Sequence, residues 1–352
     1  MAEDFDDARL DDEGALGAAD HALRSLAEAG ARVRREAVEA AEALDDAVAS
    51  AAGESRPRAV VAAGPDSRLL RAVLEPWCPV PFVAWPGPSL PGWAGGLDLV
   101  VVLAPDGGDT GAASAVAEAV RRGCRVVVAC PADSLVASHA AGRDTTVLPC
   151  PSGDQLATAV VMLQLLCRLE LGPETDAESV ARALDDVAVA CSPHRDLAVN
   201  PAKILAIALA DATPLVWGGS VLAARAARRV AEALRRASGR SALAGDAEHL
   251  LPVLAAAPPP DVFADPFAAP QADTGDVAGR RPVLLVLDDG ARSATTDEQR
   301  ERLLAAAEEH RVRVETVSAE AACDVARYAA LMATGRYAAA YLAVGLGRLP
   351  GR

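Results

Sequence analysis

From Arg58 onward the chain alternates short β-branched and aliphatic runs with longer segments whose apolar residues recur every three or four positions. The runs at 59–63, 80–84, 97–103, 125–130 and 145–148 are short and rich in β-branched residues, and their alternation with helical segments predicts βαβ units and a parallel sheet covered on both faces. Ahead of them, Leu16, Leu23, Leu26, Val33 and Leu44 fall at helical spacing across 13–50. This predicts two helices interrupted at Gly30, preceded by an acidic, disordered start at 1–12. A long apolar helix over 155–169 is stopped by Gly172-Pro173, and a polar helix over 177–190 leads to Asn200. A second set follows: a helix from Pro201, a strand at 214–217, the turn Gly218-Gly219-Ser220, a helix to Arg236, a strand at 283–287, a helix at 296–309, a strand at 312–317 and closing helices. The stretch 255–281, with Pro258-Pro259-Pro260, is read as a surface insertion or linker.

The expected architecture is α/β, two tandem units each with a parallel sheet flanked by helices. The boundaries expected are a helical segment at 1–54, a first domain at 55–172, a connecting helix at 173–199 and a second domain at 200–352. At 352 residues with 51% hydrophobic content the chain can bury a core in each unit.

A formal charge of −15, and no Lys/Arg run with interleaved aromatics, argue against nucleic-acid and anionic-lipid partners. The acidic start lacks the pattern of a secretory signal, and no apolar run reaches spanning length, so a cytoplasmic protein is expected. The seven cysteines have no CxxC spacing and fit a reducing compartment; with the histidines scattered, no metal site is expected.

Two segments carry a resemblance. Asn200-Pro201-Ala202-Lys203 is followed by Leu205-Ala206 and an apolar strand, and Ala326-Arg327 is followed by Gly335, Tyr337 and Tyr341-Leu342-Ala343. All three tyrosines of the chain lie in the second of these, in what reads as a helix-glycine-helix pattern. The two segments resemble bifunctional phosphoglucose/phosphomannose isomerases of the sugar isomerase (SIS) family, with Arg336 where the family has aspartate. The resemblance implies two SIS domains, a homodimer with its site between subunits, a sugar phosphate as ligand and no cofactor. It implies aldose-ketose isomerisation through a cis-enediol, with a glutamate of an Asn-Glu pair as base and a histidine of a His-Asn-Glu motif for ring opening.

Three loops at strand ends are the candidate ligand positions. Gly64 and Ser67 match a glycine-rich turn ending in serine; Asp106, Gly107, Gly108 and Thr110 stand where the family cradles phosphate; Ser134 stands in the third loop. Asn200 and Lys203 complete the set. Each has a plainer alternative, since Asp66, Ser67, Asp133, Ser134 and Asn200 are all suited to cap helices. A carboxylate at Asp106 inside a phosphate cradle would cost roughly several kcal/mol in like-charge repulsion and desolvation. The helix after Gly218 reads Ala233-Leu234-Arg235-Arg236 and lacks the Asn-Glu base. Glu248-His249 lies near the expected histidine motif and supplies the candidate catalytic pair, against the plainer alternative of a surface histidine. The reading is a SIS-domain protein similar to glucose-6-phosphate/mannose-6-phosphate isomerase whose activity is weak or lost. The alternative is a non-catalytic sugar-phosphate sensor or partner subunit on the same fold.

Overall fold

The computed structural model describes residues 4–259 and 280–348. Most of the 255–281 insertion lies outside the described residues. The chain divides into two compact units, one formed by 28–183 and the other by 1–27 together with 184–352. This boundary differs from the expected one, because the N-terminal helices part company: the first two go with the C-terminal unit and the next two with the first sheet. Those helices are α1 (Glu13–Ala18), α2 (Asp20–Ala27), α3 (Ala29–Glu39) and α4 (Ala41–Ala51), so four short helices replace the two expected. Gly30 sits inside α3, and the breaks fall at Ala19, Glu28 and Ala40 instead.

The 28–183 unit is built on a five-stranded parallel sheet of order β2-β1-β3-β4-β5. Its strands are β1 (Val60–Ala63), β2 (Phe82–Trp85), β3 (Leu99–Leu103), β4 (Arg125–Cys130) and β5 (Thr145–Pro149). β1 and β3 are buried along their whole length, which is what their unbroken apolar runs require. Helices α5 (Ser67–Leu74), α6 (Thr110–Arg121), α7 (Leu135–His139) and α8 (Gln155–Arg168) follow the strands in turn. α8 is buried from Leu156 to Leu163, and its start is fixed by Asp154, which caps the amides of Leu156 and Ala157 and pairs with Arg32 of α3 at 2.8 Å. The boundary to the other unit falls within α9 (Ala177–Ala190), at Ala183.

The second sheet is also parallel, with order β7-β6-β8-β9: β6 (Ala212–Gly218), β7 (Leu243–Ala244), β8 (Arg281–Asp288) and β9 (Arg313–Ser318). α10 (Pro201–Leu209), α11 (Val221–Ser238), α12 (Ala247–Ala255), α13 (Ala294–Glu309) and α14 (Asp324–Gly345) accompany it. The expected helix-glycine-helix pattern at the C-terminus is instead one continuous helix. Gly335 does not break α14; it lets α11 approach, since a Cβ there would lie 2.3 Å from Val230 Cγ2. The two tyrosines a turn apart, Tyr337 and Tyr341, stack with centroids 6.4 Å apart inside the core.

The described part of the acidic start is ordered, contrary to expectation. Asp7–Leu10 form a 3-10 helix, Leu10 is fully buried, and the Phe5 ring lies against Gly345. Asp11 explains why: its Oδ1 accepts from Lys203 Nζ at 2.6 Å. The ammonium is completely buried and donates also to the carbonyls of Pro193 and Arg195, both at 3.0 Å, with the Tyr341 ring 5.7 Å away. All three of its N–H donors therefore have acceptors. Asn200 caps α10 through the amides of Ala202 and Lys203 and donates to the Ser192 carbonyl at 3.0 Å, while Tyr341 Oη donates to the Cys191 carbonyl at 2.6 Å.

Lys203→Met is expected to lower the unfolding free energy by about 3 kcal/mol, because two carbonyls and a carboxylate lose their donor. Tyr341→Phe removes one buried hydrogen bond and is expected to cost about 1 kcal/mol. Urea titrations in which Lys203→Met cost no more than Tyr341→Phe would overturn the assignment of Lys203 as the anchor.

Candidate functional site

In the first sheet the chain order reverses between β1 and β3: α5 leaves β1 toward β2, while α6 leaves β3 toward β4. Open α/β sheets bind ligands above the strand ends at such a point. The expected ligand residues of this unit converge there. Gly64 has φ +87°, its carbonyl accepts from Ser67 N at 3.2 Å, and its Cα faces Ala112 in the first turn of α6. Gly107 and Ser134 bring the next two loops into contact: Val136 N donates to the Gly107 carbonyl at 3.1 Å. Gly107 is held at φ +66°, and a Cβ there would lie 2.3 Å from Ser134 Cβ.

The electrostatics of this crevice run against an anion. A helix start binds phosphate through amides that have no other partner. Here Asp109 accepts from Ala112 N at 2.6 Å at the start of α6, Ser134 from Ala137 N at 3.1 Å at α7, and Asp154 takes the amides of α8. α5 has no side-chain cap, but Asp66 stands at its start with its carboxylate hydrogen-bonded to Gln155. Asp106, Gly108 and Thr110 are exposed, so Asp106 does not sit inside a buried cradle as expected. It adds its charge at the rim. The Ser67 hydroxyl is buried and has no hydrogen-bond partner, the one expected ligand group with spare capacity inside the wall.

The remaining expected positions belong to the other unit and do not form a site together. Asn200 and Lys203, expected to contact ligand, are hydrogen-bonded to the chain's own groups, Lys203 through all three of its donors. Glu248 and His249 stand on the exposed face of α12. Glu248 is ion-paired to Arg302 at 2.6 Å, and that hydrogen bond with its charge holds the carboxyl below the usual range. A general base works best with a pKa near the operating pH, and this pairing moves Glu248 the other way. The sequence reading passed over a group at the ends of β6 and β8 comprising Ser220, Asp288, Asp289, Arg292 and Arg300. The signal available was Gly218-Gly219-Ser220 after one strand and Asp288-Asp289-Gly290 after its neighbour.

Residues 198–352 match the family of the bacterial phospho-glucose isomerase C-terminal SIS domain. Among solved structures, the tagatose-6-phosphate ketose/aldose isomerase of Escherichia coli superimposes with a TM-score of 0.67 at 13% identity, covering 95% of each chain. A glucose-6-phosphate isomerase like protein of Thermus thermophilus gives 0.52 at 18% identity over 90% of this chain and 94% of that one. The C-terminal domain of the glucosamine-fructose-6-phosphate aminotransferase of Francisella tularensis gives 0.55 at 12% identity over 90% of this chain and 96% of that one. At these identities the likeness is one of fold. No curated protein matches the sequence. The C-terminal part of the chain is thus similar to this SIS family, and the whole chain has the two-sheet fold of the phosphosugar isomerase structures.

The contact between the two loops gives a test. Gly107→Ala is expected to destabilise the 28–183 unit by about 2 kcal/mol or more, from the positive φ and the clash with Ser134. Gly108→Ala, where the nearest atom to a Cβ would be 3.9 Å away, is expected to be near neutral. Equal melting shifts for the two variants would contradict the loop geometry.

Proposed function

We propose that this protein is a carbohydrate-derivative-binding member of the SIS fold that does not isomerise hexose 6-phosphates at an enzyme's rate. The observation that carries the reading is the state of the only candidate acid-base pair from the sequence. Glu248 is exposed and tied to Arg302, and it is not among the residues that line the crevice at the ends of β6 and β8. The helix where the resemblance places the base reads Ala233-Leu234-Arg235-Arg236. The loss of a general base alone removes roughly 10²- to 10⁴-fold in rate.

The caps on α6, α7 and α8 support the same reading from the binding side. A phosphate dianion entering the first-sheet crevice would meet Asp66, Asp106 and Asp109 against Arg68, which follows the first loop in the first turn of α5. A homodimeric, cytoplasmic protein acting as a sensor or partner subunit accords with this chemistry, and sedimentation of the purified chain tests the assembly.

Coupled assays that follow conversion of fructose 6-phosphate to glucose or mannose 6-phosphate are expected to stay near background. Turnover at ordinary enzyme rates, abolished by Glu248→Gln or His249→Ala, would sink the reading and identify the base. Turnover that neither substitution touches would sink it as well and place the chemistry elsewhere.

A further inference from the structure

Lys203 is the only lysine among the 34 lysines and arginines of the chain. A guanidinium stays protonated, whereas an ammonium that sheds a proton becomes a nucleophilic amine. Amine-directed chemistry on the side chains of this protein is therefore confined to one atom. That atom, Lys203 Nζ, is completely buried. Its burial is shallow, because the Asp11 side chain that covers it at 2.6 Å is itself 54% exposed.

The cover is a lightly held segment. Between Asp4 and Ala18 only Leu10 is buried. The other ties are the Asp6 amide donating to the Gly345 carbonyl at 2.9 Å, the Phe5 ring against Gly345 and the Asp11–Lys203 pair. α1 buries no residue, so it can serve as a joint while Leu23 keeps α2 seated. Lifting 4–12 gives up one buried leucine and two polar contacts, far less than unfolding the unit, and chain ends open locally in this way. The carbonyls of Pro193 and Arg195 belong to another loop and hold the lysine in place when the segment leaves.

The open state selects its reagent. Lys203 then has lost its one carboxylate partner, and the local positive charge attracts a small anionic acyl donor, an acyl phosphate. Nζ loses one proton to solvent and its lone pair attacks the acyl carbon. The C–N bond forms, the C–O bond to phosphate breaks, and phosphate departs with one of the two remaining protons while the amide nitrogen keeps the other. The product has one N–H where the ammonium had three, so two of the three acceptors around it lose their donor. The added acyl group also has to fit where Nζ was fully enclosed, and overpacking opposes reseating.

We propose that Lys203 is an acylation site gated by the N-terminal segment: acyl phosphates reach it only while residues 4–12 are lifted, and the amide formed holds them off. The inference is independent of carbohydrate binding and of turnover.

The test is incubation of the full chain with acetyl phosphate, with peptide mapping by mass spectrometry to separate acetylation at Lys203 from that at the α-amine. Slow acetylation of Lys203 is expected in the wild type. Leu10→Ala should speed it by roughly tenfold or more, because the opening no longer exposes a buried leucine. Leu254→Ala weakens the core of the same unit at a distance from the segment and should leave the rate close to wild type. Equal acceleration by both variants means that Lys203 is reached through global unfolding, and overturns the gate. Wild-type acetylation as fast as that of a free lysine, or none in Leu10→Ala, overturns it as well. In the acetylated protein, hydrogen exchange should be fast across 4–12 and unchanged in α14. Protection of 4–12 equal to that in the unmodified chain would overturn the locking step.

Discussion

The fully buried ammonium of Lys203 is the constraint on which the C-terminal unit depends. Removing such a group from water costs several kcal/mol, and only complete coordination offsets it. Asp11, Pro193 and Arg195 provide that coordination from segments far apart in sequence, and the Tyr341 ring lies alongside. One side chain thereby fixes the start of α10, the loop before it, the N-terminal 3-10 helix and the middle of α14. Asn200 reinforces the arrangement by closing the same loop against the same helix start. The motif that carries the family resemblance at Asn200–Lys203 is thus a structural clamp.

Much of the fold was legible because burial on both faces leaves a plain mark: β1, β3 and β8 are continuous apolar runs, and the long apolar helix α8 stands out from everything around it. What was misread depended on tertiary partners. Gly335 carries the same letter whether a helix ends or another helix presses on it, and only Val230 decides between them. The acidic start has the composition of a disordered tail until Lys203 gives Asp11 a partner 192 residues away. The candidate ligand loops were located correctly as strand ends, but whether an aspartate caps a helix or faces a ligand is a matter of rotamer and neighbour. Spacing alone does not encode it, as Asp106 at the rim and Asp109 on the Ala112 amide make clear.

The two sheets share one topological device and use it differently. Above β1 and β3 the loops lock to one another through Gly107 and Ser134, and acidic residues stand at or beside the helix starts, Asp154 among them paired with Arg32. Above β6 and β8, Asp288, Asp289 and Asp297 stand with Arg292 and Arg300, and the strand ends are bridged by the Ser220–Asp289 hydroxyl-carboxylate contact.

The discontinuity of the C-terminal unit sets an order on its assembly during synthesis. Residues 28–183 form a contiguous unit that can close as soon as they leave the ribosome. Residues 1–27, made earlier, cannot seat until Lys203 and the end of α14 at Gly345 exist, because their partners are there. At about 5 to 20 residues per second that interval is on the order of tens of seconds. Throughout it Leu10 and Phe5 lack the partners that bury them, and in its later part the 28–183 unit is already folded, which makes the nascent chain a transient client for any factor that shields apolar N-terminal segments.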